Sequence, residues 1–129
     1  MPSLFTTPIH LGLGALAEVQ PDFTGMAWYA DYAARTAADG DEGRLVTMYR
    51  FTESWDMWEM HPNGHEVVVC LSGEMTLHQE MADGSNATVA IGPGDYVINP
   101  PGAWHTADVA AKATALFITA GMGTAHRPR

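Results

Sequence analysis

From Arg44 onward the apolar residues fall in short bursts, each closed by a turn signal. RLVTMYRF (44–51) is rich in strand formers, and SWDMWEMH (54–61) alternates imperfectly. EVVVCL (66–71) is a run of β-branched residues ended by Ser72-Gly73. EMTLHQEM (74–81) alternates, with Met75, Leu77 and Met81 on one face. Asp83-Gly84 marks a hairpin loop before the return strand ATVAI (87–91). DYVIN (95–99), WHTADVA (104–110) and ATALFIT (113–119) complete the series, with Gly92-Pro93-Gly94 and Pro100-Pro101-Gly102 as breakers. Many short strands with regular turn signals predict an all-β domain, an antiparallel sandwich or barrel. The tail GMGTAHRPR reads as loop.

The first third of the chain has a different pattern. Residues 1–24 show no sustained period and predict an extended arm with one short strand. Residues 26–40 place Trp28, Tyr32 and Ala33 at helical spacing, and Asp39-Gly40 stops the run, so a short helix is expected. Its Trp28, Tyr29 and Tyr32 are expected to glue the helix to the barrel rather than to act as a lid. The predicted organisation is one domain, with an arm and helix over 1–43 packed on a barrel over 44–129.

Charge narrows the partners. The net charge is −9, and the six basic residues form no stripe. A phosphate backbone has nothing to follow, and an acidic surface disfavours anionic membranes, so neither nucleic acid nor membrane is expected. No apolar run is long enough to span a bilayer, and the N-terminus lacks the pattern of a secretory signal. Cys70, the single cysteine, falls inside an apolar strand and reads as a buried free thiol. A cytoplasmic protein is the expectation.

WEMHPNGHE (58–66) places two carboxylates and two imidazoles directly before an apolar strand. Such groups are expensive to bury without partners. Glu59 and His61 share a face if extended, and Pro62-Asn63-Gly64 is expected to reverse the chain and bring Glu66 beside His61 on a paired strand. His105 opens another strand after the second breaker. Two imidazoles with one or two carboxylates on strand ends suit a divalent metal. Glu59 is open to three readings: a ligand, a general base beside substrate, or a solvent-facing carboxylate. Trp55 and Met57 share parity with Glu59 and could line the same cavity, with Tyr49, Phe51 and Trp104 as further candidates for an apolar or aromatic substrate. His65 reads as an exposed turn residue and His78 as outward-facing, while His10 and His126 carry no signal.

These spacings resemble the cupin superfamily. Glu59, His61, Glu66 and Gly73 fall in the places of the first His, second His, Glu and final Gly of its first motif. Gly94, Pro100, Gly102 and His105 fall at the spacing of its second motif. The resemblance covers about residues 44–119. The chain departs from it at Glu59, at the missing leading Gly near residues 52–54, and at Val109, where the family has Asn. The resemblance implies a jelly-roll barrel, a homodimer, and one divalent ion per chain on His61, Glu66, His105 and Glu59. The oxygen-rich donor set leans toward Fe, Mn, Zn or Ni and away from copper. It also implies a small metalloenzyme acting on a small molecule, a dioxygenase-like oxidoreductase as the first expectation. The alternatives are an isomerase, cyclase or lyase, or a non-enzymatic ligand-binding barrel.

Overall fold

A computed structural model describes all residues, 1–129. Eleven strands form two antiparallel sheets that face each other as a jelly-roll barrel. The strands are β1 (Ile9–Leu11), β2 (Ala17–Val19), β3 (Arg44–Phe51), β4 (Met57–Met60), β5 (Glu66–Gly73) and β6 (Met75–Glu80), followed by β7 (Asn86–Ile91), β8 (Tyr96–Asn99), β9 (Trp104–Asp108), β10 (Ala113–Thr119) and β11 (Ala125–Pro128). One sheet runs β2-β1-β3-β10-β5-β8 and the other β11-β4-β9-β6-β7.

Strand alternation builds the core. On β5 the inward positions are Glu66, Val68 and Cys70; on β6 they are Met75, Leu77 and Gln79. Val68, Cys70, Met75, Leu77, Ile91, Ala107 and Phe117 meet between the sheets. Cys70 is buried and free. At the end of β5, Gly73 adopts φ +73°, and a Cβ there would collide with the Lys112 carbonyl oxygen. Only glycine fits that crossing.

The arm is more structured than its sequence suggested. It forms two short strands rather than one, and β1 pairs with β3, so the arm extends the six-stranded sheet. The helix α1 (Ala27–Arg35) ends short of residue 40, and Ala37–Glu42 is a tighter 3-10 turn broken at Gly40. A helix this short depends on tertiary packing. Trp28 supplies it: the ring is buried, stacks on Tyr32 at 5.4 Å and donates from Nε1 to the Pro21 carbonyl at 3.0 Å.

His10 also carries more than its sequence context showed. It is almost wholly buried, with Nδ1 2.6 Å from the Tyr32 hydroxyl and Nε2 2.6 Å from Asp39. Those three residues tie arm, helix and 3-10 turn together. The tail is not all loop either. Ala125–Pro128 pairs with the edge of β4 in the register Arg127↔Trp58, and the Arg127 guanidinium lies over the Trp58 and Trp104 rings and bonds Glu80. This strand exists because β4 offers an open edge, with one aromatic ring from β4 and one from the neighbouring β9, and nothing local announces either. No helix is long and apolar enough to cross a membrane.

Candidate metal centre

Two rows of side chains face each other near one end of the barrel. In the five-stranded sheet, Glu59 on β4 is in register with His105 on β9, which is in register with Gln79 on β6. In the six-stranded sheet, Thr119, Glu66 and Asn99 form the matching row across β10, β5 and β8. His61 follows β4 directly, its carbonyl held by the Gly102 N–H at 3.1 Å. Glu66 therefore meets His61 from the opposite sheet. The expected pairing of their strands is incorrect: the turn at 62–64 carries the chain across the barrel instead of closing a hairpin.

The polar atoms converge. His61 Nε2 lies 3.1 Å from Glu66 Oε2 and 3.5 Å from Glu59 Oε1. His105 Nε2 lies 3.2 Å from Glu66 Oε1. One donor atom each from Glu59, His61 and His105 lie within 4.8 Å of one another. His61, Glu66 and His105 are all buried, while the Glu59 side chain is 33% exposed. Glu66 is held by further donors, with Thr119 Oγ1 donating at 2.6 Å and Asn99 Nδ2 at 3.0 Å. Asn99 in turn accepts from Gln79 Nε2 at 2.8 Å, a bridge between the sheets.

Burial alone would push the Glu66 carboxyl up. The close imidazoles of His105 and His61, the latter hydrogen-bonded to it, outweigh it and hold the group well below the usual carboxylate range. Burial likewise pulls His61 down, but the hydrogen bond and charge of Glu66, with the charge of Glu59, raise it overall.

The donor set fits a divalent ion. His105 Nε2 is buried and has no hydrogen-bond partner; its approach to Glu66 fails on angle. Its Nδ1 faces the Ala103 carbonyl at 3.4 Å, which can only accept, so Nδ1 carries the proton and Nε2 presents a lone pair in the neutral ring. A buried lone pair aimed among carboxylates is the arrangement of a metal ligand.

The aromatic residues singled out in the sequence separate into two groups. Trp55, Phe51 and Tyr49 join Phe117 in a run of ring contacts at 5.6–6.2 Å, and the Trp55 ring reaches 6.3 Å from that of His105. Met57 shares the face of Glu59 on β4. Trp104 does not join them: parity sends it to the face opposite His105, where it lies under Arg127. His78 also lies outside the cluster, bonded to Asp108 at 2.7 Å and Thr88 at 3.2 Å, beside an open groove of about 480 Å³. That groove touches none of Glu59, His61, Glu66 and His105.

Three further features lie near the cluster, and of them only Tyr29, expected to join helix to barrel, had a signal in the sequence. Tyr29, on α1, hydrogen-bonds the Tyr49 hydroxyl at 2.5 Å, and Phe23 packs edge-on to both rings. Burial, each other's charge and the charges of Glu59 and Glu66 raise the Tyr29 phenol far above its ordinary value. Thr124 lies 2.8 Å from His61 Nδ1. His126 is the register partner of Glu59 but is exposed.

Comparison with known proteins agrees with this fold. No curated protein matches the chain. Among solved structures, an oxalate oxidase superposes with TM-score 0.55 at 13% identity, covering 63% of this chain and 44% of that one. The hydroquinone 1,2-dioxygenase of Sphingomonas sp. TTNP3, with 4-hydroxybenzoate bound, gives TM-score 0.50 at 14% identity, covering 59% of each. Bacillus subtilis oxalate decarboxylase, studied for its Mn(II) centres, gives 0.56 at 19% identity over 74% of this chain and 26% of that one. This chain thus spans less than half the length of the oxalate oxidase, and at these identities the likeness is one of fold. The model of the Cupin domain matches residues 52–121, more than half of the sequence, and the protein belongs to the cupin family.

Proposed function

We propose that this protein is a small metal-dependent cupin, an oxidoreductase of dioxygenase type acting on a small, apolar or aromatic molecule. One observation carries the metal part: the unpartnered, buried His105 Nε2 within a convergent set of His and Glu donors. His61, His105, Glu66 and Glu59 hold one divalent ion, drawn from Fe, Mn, Zn or Ni. Such an ion supplies a Lewis-acid or redox centre with exchangeable positions. Glu59 is the one carboxylate of the set open to solvent, so it can leave the ligand set and move a proton at a bound substrate. The run of rings from Tyr49 through Phe51 and Trp55 to His105 gives an apolar substrate a wall beside the centre. The Trp55 indole N–H, buried without a partner, adds one donor.

The test is oxygen consumption by protein reconstituted with Fe(II) or Mn(II), against small phenols and hydroxy acids, with His105→Ala as control. Uptake lost in the control supports the reading. Turnover without oxygen uptake moves it to the isomerase, cyclase or lyase class. Tight ligand binding with no turnover favours a second reading, a binding barrel. That reading has its own support, because Glu66 already accepts from Thr119 and Asn99 and faces both imidazoles.

A homodimer forms part of the proposal. The outer face of the six-stranded sheet carries two in-register apolar rows, Val46-Ile118-Val67-Ile98 and Met48-Leu116-Val69-Tyr96. Tyr96 and Ile98 are largely exposed. These apolar rows on a chain of net charge −9 suit a second copy of itself. The single free cysteine suits a reducing compartment, the cytoplasm.

A further inference from the structure

His61 must present Nε2 to act as a ligand, and its other nitrogen decides whether it can. Nδ1 lies 2.8 Å from Thr124 Oγ1. The same hydroxyl lies 2.7 Å from the Gly121 carbonyl, which can only accept. A threonine hydroxyl has one proton, and with Gly121 taking it, Oγ1 accepts from Nδ1–H. Each link of the chain Nδ1–H, Oγ1–H, O=C then has one donor and one acceptor, and Nε2, which faces Glu59 and Glu66, is the nitrogen left for an ion to take in place of a proton.

The turn that carries Thr124 is built onto the turn that follows His61. Asn63 Nδ2 donates to the Met122 carbonyl at 2.9 Å. Gly64 lies so close to Ala120 that a Cβ at 64 would collide with the Ala120 side chain. From there β11 continues along β4, the strand bearing Glu59. Residues 122–128 lie beyond the span matched by the family model.

We infer that Thr124 is a positioning residue of the metal centre, holding His61 in the Nδ1–H tautomer that frees Nε2 for the ion. The inference rests on the metal reading proposed above. Oriented outer partners of this kind set metal affinity.

The probe is zinc(II) alone, its affinity measured by chelator competition on the full chain. Thr124→Val, which keeps shape and removes the acceptor, should weaken zinc about 10–100-fold. Thr124→Ser, which keeps the hydroxyl, should stay within about threefold of wild type. Metal-free Thr124→Ser should melt with wild type, and Thr124→Val only a few degrees lower for its lost hydroxyl bonds, since no core packing changes. In zinc-loaded wild type, NMR should show a slowly exchanging Nδ1 proton on His61, close to the Thr124 methyl protons. Zinc binding by wild type with an unchanged Thr124→Val affinity overturns the inference and leaves the metal reading standing. Failure of Thr124→Ser to restore affinity, or an Nε2–H proton in the zinc form, overturns it equally. No zinc binding by wild type sinks both.

Discussion

His105 Nε2 and Glu66 Oε1 lie 3.2 Å apart inside the barrel without forming a hydrogen bond. Both atoms point at a common space shared with His61 and Glu59. The contact is close enough to matter and misaligned for a proton, which is the relation two ligands of one ion have to each other.

Glu66→Gln should be the most damaging single change in the cluster. It removes the charge that His61 and His105 face, leaving buried imidazoles with a weaker partner. Loss of one member of a buried pair costs roughly 3–5 kcal/mol, and a loss near 3 is expected here. Urea unfolding of the metal-free variant at neutral pH measures it; a loss below about 1 kcal/mol would mean that the imidazoles do not depend on this carboxylate.

The same cluster sets the pH dependence of the metal-free chain. Glu66 sits below its ordinary value of 4.5 in the fold, so its contribution is complete above that pH and is lost as pH falls. His61 sits above its ordinary value of 6.5, so its contribution is complete below 6.5 and is lost as pH rises through the folded value. Metal-free stability should peak in the weakly acidic range. Zinc loading should remove the alkaline decline, because an ion prefers the neutral ring. Urea midpoints across the range, with and without zinc, check both limbs.

Tyr29→Phe should cost about 1 kcal/mol, one partly buried hydroxyl pair. Because Tyr29 lies on α1 and Tyr49 on β3, the loss should appear as faster amide exchange in residues 27–35 before the barrel is affected. Uniform loss across the chain would mean that helix and barrel unfold as one.

Ile98→Glu places a charge on β8, at the exposed edge of the apolar face of the six-stranded sheet. Wild type should sediment as a dimer and the variant as a monomer with an intact fold by circular dichroism. A monomeric wild type would remove the homodimer from the account.

The positions of His61, Glu66 and His105 were legible because ligand spacing and strand parity are both local properties of the sequence. Which sheet each residue joins was not. Pro62-Asn63-Gly64 announces a reversal, but whether the chain closes a hairpin or crosses the barrel depends on β10 and β9, far along the sequence. Parity separated Trp55 from Trp104 only once the register of β9 was known. β11 and Thr124 were invisible for the same reason, since the partner of each lies more than sixty residues upstream. His10 shows the converse error: a histidine in a featureless arm becomes buried because Tyr32 and Asp39 arrive to satisfy both ring nitrogens.

Elemental analysis of protein purified without an affinity tag tests the metal centre most directly. Wild type should carry about one divalent ion per chain, with His61→Ala and His105→Ala carrying almost none. No bound metal in wild type, even after reconstitution with Fe(II), Mn(II), Zn(II) and Ni(II), would contradict the account and leave a metal-free barrel.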